Sequence, residues 1–415
     1  MAPAAAIVAG AGGRAGVLAA VLARPWLFAL LVAAAYLLMV LPKLAAHQYD
    51  PSIFIVAGDR YVEAGHTAGP IDIRPGSDGY DGQFYYRLAV DPLDFSSTAH
   101  GITFDVPPWR MQRIFYPLLA RAAALGDPTR IPAALFAVNL FGIGAIAFLA
   151  AALVRQAALS PLTPLAIVLW PGLLTGLTHD TTEITAAAIM LAALLCYAHR
   201  RFLPYAVLAG LATLTRETTL LVFAGLLLHD AYLAWTRRRL SPALVAGVLL
   251  LVPFVVWREI LTFAWHSSPQ TAALGTDLGL PLAGVVRMLA DCLTGARAWA
   301  PLPLPDLLTR TIVLLTALPL LGFCVLVAIR LRTARGPLAP LAFSWALIAL
   351  LMSLLVASWI DPTGYLRAFT ECYVIGCLVL ASTHPAIRSA TLRRAIATIA
   401  VTALGASWFY ILAMT

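Results

Sequence analysis

Long apolar runs follow one another along most of this chain, separated mainly by short polar connections. A bilayer span needs roughly 20 mostly apolar residues, and a helix satisfies its own backbone hydrogen bonds there. The pattern therefore predicts an all-α, polytopic membrane protein with about 11 transmembrane helices. These helices are expected at 26–45, 131–153, 157–177, 181–198, 202–215, 218–236, 241–260, 310–329, 337–357, 371–384 and 395–413.

Two polar stretches are much longer than the other connections. Residues 46–130 join the first two predicted helices and contain short amphipathic segments, and residues 261–309 join the seventh and eighth. No repeat of fixed period divides the chain, so residues 1–415 are expected to form a single domain. The fifth and tenth predicted helices are short and have charged ends, which are tolerated where a helix lines a protein cavity rather than lipid.

Composition agrees with a membrane protein and narrows the choice of partners. Apolar residues make up 61% of the 415, charged residues only 12%, and the mean hydropathy is +0.86. Soluble proteins carry about 25% charged residues. The net charge of +8 would suggest nucleic acid in a soluble protein, but here we expect membrane lipid and no nucleic acid. The five cysteines form no CxxC pair and predict neither a disulfide framework nor a zinc site.

The charges are sorted between the two sides of the predicted membrane. With the N-terminus in the cytoplasm, every inside loop carries arginine, as the positive-inside rule requires. Of the 20 acidic residues, only Asp230 falls near an inside end. The orientation rule concerns basic residues and does not require acids to lie on either side. The collection of acids at the outer face therefore indicates that the chemistry takes place there. We expect a multi-pass protein of the plasma (inner) membrane with an extracytoplasmic active site.

Polar residues collect in five groups at the predicted outside ends. The groups lie in "GYDGQFYYR", "PPWRMQRIFYP", "THDTTE", "TRET" and "GYLRAFTE". We predict that they form one site, with Asp81 as the catalytic residue and the others binding substrate. The predicted site residues are Tyr80, Asp81, Gln83, Tyr85, Arg87, Arg110, Arg113, Tyr116, His179, Asp180, Glu183, Arg216, Glu217, Tyr365, Arg367 and Glu371.

Two of these groups have a structural alternative. The stretch 178–183 fits the capped start of a helix, with Thr or Asp as N-cap and Glu183 in the first turn. Arg216 and Glu217 could neutralise each other in a tight turn. Ionisable residues at membrane depth are usually functional, which keeps both groups as candidates. No spacing resembles a metal-binding set, so a metal-free site without a cofactor is favoured over one holding a divalent ion.

Carboxylates beside arginines suit one chemistry well. Arginines hold a phosphate or pyrophosphate by bidentate hydrogen bonds. A carboxylate accepts the proton of an attacking hydroxyl, and an arginine stabilises the phosphate as it leaves. Aromatic residues fit a sugar ring or a lipid chain. The residues therefore predict sugar transfer from a lipid phosphate to a hydroxyl.

The motifs also resemble a known family. "GYDGQFYYRLAVDP", with "RMQRIFYPLLA" downstream and "LTRETTLL" later, looks like the polytopic C-type (GT-C) membrane glycosyltransferases. The style is that of bacterial enzymes distantly similar to the mannosyltransferases of GPI-anchor synthesis. The resemblance implies an inverting transferase that uses a polyprenyl-phosphate monosaccharide at the outer face. Its acceptor is a hydroxyl of a glycan, lipid or protein, and its base is an acid of the first outside loop, which matches Asp81.

The roles expected from these considerations are specific. Asp81 acts as general base, Arg113, Arg216 and Arg367 bind the donor phosphate, and Asp180, Glu183 and Glu217 orient the sugar or the arginines. One alternative is a transporter or flippase of a lipid-linked or anionic substrate. Another is a structural partner in envelope assembly that has lost catalysis, in which Asp81 would lie far from Arg216 and Arg367.

Overall fold

The computed structural model describes residues 24–160, 162–269, 271, 278–295, 305–383 and 404–411. Within them, the chain is mostly helical, as the apolar runs predict. The helices of the first half are α1 (Pro25–Ala46), α2 (Gly82–Val90), α3 (Pro107–Met111), α4 (Phe115–Ala123), α5 (Ile131–Gln156), α6 (Thr163–Val168), α7 (Pro171–Thr178), α8 (Glu183–Ala198) and α9 (Phe202–Thr215).

The second half continues in the same way. Its helices are α10 (Thr219–Arg237), α11 (Pro242–Leu249), α12 (Leu251–Trp265), α13 (Ala283–Thr294), α14 (Asp306–Arg330), α15 (Leu341–Leu354), α16 (Pro362–Ala368) and α17 (Thr370–Ala381). Residues 404–411 are also helical, while the rest of the predicted last span, 395–403 and 412–413, lies outside the described residues. Short 3₁₀ turns occur at Pro51–Phe54, Pro128–Arg130, Leu331–Thr333 and Ala357–Ile360.

The structure divides the spans differently from the sequence prediction. In the described part, five helical segments are long and apolar enough to cross a bilayer: α1, α5, α10, α14 and the pair α11 and α12 taken together. The number is six if the bent pair α16 and α17 counts as one further span. Helices α8, α9 and α15 are apolar but shorter than a full span. The predicted helix 157–177 is interrupted after Val168, because Pro171 holds the preceding Trp170 in an extended conformation. Hydropathy reports the apolar run but not where the helix inside it breaks.

The long connection after α1 folds into a compact unit rather than an extended loop. It holds helices α2 to α4 and two small sheets: β1 (Ala57–Gly58) pairs in parallel with β2 (Ile73–Arg74), and β3 (Thr98–Ala99) pairs antiparallel with β4 (Ile102–Thr103). Every residue of α2 is buried. Gly82 permits this position, because a Cβ there would lie 2.6 Å from the carbonyl oxygen of Ile55 and 2.7 Å from that of His179.

Two hydrophobic clusters hold the molecule together. The larger lies among the long helices, where α5 packs against α1 and α8, and α10 packs against α15. The smaller lies beneath the first connection and includes Phe84, Tyr85 and Tyr86 of α2 together with Leu261 of α12. The connection is therefore packed onto the helices by an apolar core of its own, which fixes the start of α2 relative to them.

Candidate active site

A cavity of about 650 Å³ lies where the start of α2 and helix α3 meet α10, α12, α15 and α16. Seven of the predicted site residues line this cavity, although they come from four separate segments of the chain. They are Tyr80, Asp81, Arg110, Arg113, Arg216, Glu217 and Arg367.

The rest of the cavity wall is largely apolar. Side chains of α10, α12 and α15 contribute most of it. On α10, the apolar residues begin within about one turn of Arg216 and Glu217. The main apolar residues are Leu220, Leu221, Phe254, Leu351, Met352 and Leu355. The cavity is therefore amphipathic, with a charged part at Asp81 and an apolar part between the helices.

Asp81 stands immediately before α2 and is surrounded by guanidinium groups. Its Oδ1 accepts a hydrogen bond from Arg110 Nη1 at 2.6 Å, and its Oδ2 accepts one from Arg367 Nη1 at 2.5 Å. Arg113 Nη1 lies 3.8 Å from Oδ2. The carboxylate is 12% exposed in its side chain and faces the cavity. Asp81 is thus the meeting point of arginines from α3 and α16.

These arginines set the protonation of Asp81. Burial alone would raise the pKa of this carboxyl, but the guanidiniums of Arg110, Arg367 and Arg113 outweigh burial and hold the pKa well below its usual range. Asp81 is therefore a carboxylate, yet a weak base while both of its oxygens remain paired. How readily Asp81 accepts a proton therefore depends on its ion pairs with Arg110 and Arg367.

Arg113 joins the first connection to the turn between α9 and α10. Its Nε and Nη2 donate to the two carboxylate oxygens of Glu217 at 3.0 and 2.6 Å, a bidentate pair. Its Nη1 donates to the hydroxyl of Tyr85 at 3.1 Å. Burial would raise the pKa of Glu217, and the charge of Arg113 lowers it. Tyr85 is fully buried and acts behind the cavity wall, where it positions Arg113.

A second group of charges lies deeper, behind Arg367. Arg216 Nη1 is 3.2 Å from Glu183 and 3.2 Å from Glu371, and Arg367 Nε is 3.4 Å from Glu183. Thr218 donates to Glu371 at 3.2 Å. Glu183 and Glu371 are fully buried and do not line the cavity. Their role in this geometry is to hold Arg216 and Arg367 rather than to contact substrate.

The structural alternative for 178–183 is confirmed in part, because α8 begins at Glu183 with Thr182 at its N-cap, and the alternative for Arg216 and Glu217 is not what the structure shows. Thr182 stands at the N-cap of α8 but makes no capping side-chain hydrogen bond, while Glu183 pairs with arginines. Arg216 and Glu217 point to different partners and do not neutralise each other. Arg216 ends α9 in an extended conformation (φ −157°, ψ 123°), which turns its side chain towards α8 and α17.

Aromatic groups border the charged part of the cavity. The ring of Tyr80 lies 4.9 Å from the guanidinium of Arg367 and 4.6 Å from the ring of His179. His179 itself is outside the cavity wall, and burial lowers its pKa to about 3, so it packs against Tyr80 as a neutral ring tilted by 59°. Trp109 packs against Arg113 at 5.2 Å and lines the cavity, although the sequence analysis did not select it.

Two residues of the first motif that were predicted to bind substrate point away from the cavity. Arg87 is 1% exposed and donates to the carbonyl oxygens of Ser96, Ser97 and Ile102, because α2 turns it towards the β3–β4 loop. Gln83 ties two loop segments together by bonding the amide of Gly58 and the carbonyl of Asp78. Both side chains close the fold of the first connection.

Three further predicted residues also lie away from the cavity. Tyr116 is buried against Leu135 and accepts from Asn139, and Tyr365 is buried against Thr316. Asp180 is fully buried with a left-handed backbone (φ 45°), and burial raises its pKa well above its usual value. Sequence position placed these side chains at outside ends of helices, but it did not reveal which way each one points.

The structure also adds residues that sequence reasoning missed. Asp105 accepts from Arg110 Nε and Nη2 at 2.8 and 2.5 Å, while Arg110 Nη1 donates to Asp81, so Asp105 holds Arg110 beside Asp81. Arg258 of α12 lines the cavity. A signal for Arg258 was present, because an arginine inside an apolar run of predicted span length is a functional candidate. No sequence signal connects Asp105 to Asp81.

One group of side chains in the described part has metal-ligand geometry, and it lies outside the cavity. Ligand atoms of Asp91, Asp94 and His100 all lie within 4.8 Å of one another in the first connection. Asp94 also accepts from Ser96, which lowers its pKa. Exposed acidic groups of this kind are common without an ion, so we assign the group no role.

Comparison with known proteins gives limited information about this chain. No protein-family model matches it, and no curated protein matches it by sequence. Among solved structures it is similar to the crystal structure of ArnT from Cupriavidus metallidurans in the apo state, with 14% identity and a TM-score of 0.42, over 90% of this chain and 75% of that one. At this TM-score the likeness carries no weight for function, so the site is interpreted from its own geometry.

Proposed function

We propose that this protein transfers a monosaccharide from a polyprenyl-phosphate donor to a hydroxyl acceptor at the outer face of the plasma membrane, with inversion. The observation that supports the proposal is the amphipathic cavity itself. Its charged part brings Asp81 into contact with arginines from two segments, and its apolar part is lined by leucines. A phosphate ester attached to a lipid chain has the same division. The acceptor is a hydroxyl of an envelope glycan, a glycolipid or a protein.

In the proposed reaction, the acceptor oxygen attacks the anomeric carbon of the donor. The bond between that carbon and the phosphate oxygen breaks, and its electron pair leaves with the polyprenyl phosphate. The acceptor proton passes to a carboxylate oxygen of Asp81. Guanidinium groups stabilise the charge that develops on the leaving phosphate. Attack from the side opposite the phosphate gives the inverted product.

Asp81 must be released from its arginines before it can take this proton. Both of its oxygens are occupied by Arg110 and Arg367, and these are the groups that a phosphate would attract. We infer that donor phosphate draws at least one guanidinium away from Asp81. Because the arginines keep the pKa of Asp81 low, their transfer to phosphate raises its basicity. Donor binding would thus prepare the base.

The proposal includes no metal ion. Arginines from α3 and α16 already supply positive charge beside Asp81, which is the task that a divalent cation performs at other phosphate-leaving sites. The carboxylates that face them are engaged as their partners.

The decisive experiment is transfer by the purified full-length protein in liposomes. It would be given radiolabelled polyprenyl-phosphate hexoses and pentoses together with envelope extract as acceptor. We expect a labelled product with a new glycosidic bond and none from Asp81→Asn. An Asp81→Asn protein with normal turnover would contradict the mechanism.

The same assay separates this proposal from its main alternative. A transporter or flippase would move the labelled lipid across the bilayer and form no new glycosidic bond. The third possibility, a structural partner that has lost catalysis, would place Asp81 far from Arg216 and Arg367. Against it, Arg367 contacts Asp81 directly at 2.5 Å. Arg216 lines the same cavity but pairs with Glu183 and Glu371 instead.

A further inference from the structure

Among the five arginines that line the cavity, Arg258 has a distinct electrostatic situation. Arg110, Arg113, Arg216 and Arg367 each lie within 3.2 Å of at least one carboxylate oxygen. Within the described residues, no carboxylate lies at ion-pair distance from Arg258, and its buried Nη2 has no hydrogen-bond partner. The four paired arginines face five carboxylates, so the cluster without Arg258 has no surplus of positive charge.

Local packing holds Arg258 in place without neutralising it. Its guanidinium lies 5.2 Å from the ring centroid of Phe254, one helical turn away on α12. The neighbouring Trp257 donates from Nε1 to the carbonyl oxygen of Met111 at 3.0 Å, which fastens α12 to the helix that carries Arg110. Arg258 is therefore positioned by an aromatic contact and by the hydrogen bond of its neighbour, and it lines the cavity without an ion-pair partner among the described residues.

Arg258 also lies at the border between the two parts of the cavity. Phe254 lines the apolar part, and Arg258 stands four residues, or about 6 Å of helix rise, from it. Between Phe254 and Arg258 on α12, Val255 and Val256 are 51% and 52% exposed, so part of this helix surface is apolar and uncovered. An amphipathic molecule whose chain lies along Phe254 would place its polar end at Arg258.

From these observations we infer that Arg258 binds the phosphate of an isoprenoid lipid, with the chain along the apolar wall of α12. Phosphate would supply the ion-pair partner that Arg258 does not have among the described residues, because a planar guanidinium binds phosphate oxygens with two parallel hydrogen bonds. This inference rests on the proposed function for its choice of an isoprenoid lipid, and it adds Arg258 to the arginines beside Asp81 that the phosphate would contact.

Binding by the purified full-length protein in detergent tests this inference without catalysis. Farnesyl phosphate, farnesol and inorganic phosphate would be titrated separately, with binding followed by tryptophan fluorescence. We expect the wild-type protein to bind farnesyl phosphate more tightly than farnesol or inorganic phosphate. Loss of a charged hydrogen bond corresponds to roughly a 10- to 100-fold weakening, so Arg258→Gln should bind farnesyl phosphate that much more weakly and farnesol unchanged.

Two further variants keep the test decisive. Arg258→Lys retains the charge and should recover part of the preference for phosphate over alcohol, and Arg287→Gln, on the exposed side of α13, should match the wild-type protein. An Arg258→Gln protein that keeps the full preference for farnesyl phosphate over farnesol would overturn the inference, as would inorganic phosphate binding as tightly as farnesyl phosphate.

If the preference for farnesyl phosphate depends on Arg258 but no sugar donor is ever turned over, the proposed function fails while this site stands. If sugar is transferred and Arg258→Gln keeps the preference, only this site fails.

Discussion

Asp81 and Arg367, separated by 286 residues along the chain, form an ion pair of 2.5 Å at the border of an amphipathic cavity. Arg367 also contacts Glu183, which in turn contacts Arg216. The series Asp105, Arg110, Asp81, Arg367, Glu183, Arg216 and Glu371 therefore alternates acid and base through the site. Any change to one member therefore alters the partners available to the next.

Replacing Asp81 by Asn should abolish sugar transfer but leave the fold intact. General-base catalysis contributes about 10²- to 10⁴-fold, so kcat should fall by at least about 100-fold. The three arginines would each keep another carboxylate: Asp105 at 2.5 Å, Glu217 at 2.6 Å and Glu183 at 3.4 Å. Thermal unfolding in detergent should therefore remain cooperative, with a midpoint close to that of the wild-type protein. A variant that does not fold would show that Asp81 is primarily structural.

The pH dependence of kcat/KM should report the low pKa of Asp81 in the free protein. Because the pKa is below its usual range, Asp81 stays ionised down to about pH 5, and it should cause no loss of kcat/KM between about pH 8 and about pH 5. Replacing Arg110 by Ala removes a charge that lowers this pKa, so the fall in kcat/KM on acidification should begin at a higher pH. The comparison uses the shape of the profile, not its height. An unchanged profile in Arg110→Ala would contradict the assigned electrostatics.

The pair between Arg113 and Glu217 should contribute mainly to stability. Removing one partner of a buried ion pair leaves the other charge uncompensated, and Glu217→Gln should lower the free energy of unfolding by on the order of 3 kcal/mol. Denaturation in detergent would measure this loss. The exposed Glu63 provides the control, because its replacement by Gln should change stability by less than about 0.5 kcal/mol. Equal effects of the two substitutions would argue against a stabilising pair.

Arg87 should matter for folding and not for the donor. Arg87→Ala removes a donor from the carbonyl oxygens of Ser96, Ser97 and Ile102 and removes the contact with the Phe104 ring at 3.8 Å. We expect a loss of stability on the order of 3 kcal/mol, with donor KM unchanged in the folded fraction. A raised donor KM at unchanged thermal midpoint would restore the original assignment of Arg87 to substrate binding.

Chelation should leave transfer unchanged. The charge on the leaving phosphate is assigned to arginines, so EDTA should not reduce the initial rate, and added Mg²⁺ or Mn²⁺ should not raise it. Loss of turnover in EDTA, with recovery on addition of one ion, would show that the arginines are not sufficient.

Much of this protein follows from the sequence alone. The apolar runs are long, so hydropathy predicts a helical membrane protein, and five helices of the structure reach span length. The charged ends of 202–215 and 371–384 indicated a cavity, because membrane helices tolerate such residues only away from lipid. Arg216 and Glu217 were selected on this physical ground, and Asp81 and Arg367 as members of polar groups at the outside ends; the structure places all four at one cavity.

The tertiary structure alone decided how these residues divide their tasks. The sequence shows only that Arg87 and Arg110 both lie near an aromatic motif. In the fold, Arg87 on α2 turns towards the carbonyl oxygen of Ile102, whereas Arg110 on α3 lies at the cavity. Ion pairs between residues up to 286 positions apart depend on where helices end and bend, as at Pro171 and between α16 and α17. Hydropathy is averaged over such breaks and contains no side-chain direction. For that reason, the sequence determined that acids and arginines must meet, and the fold determined which of them do.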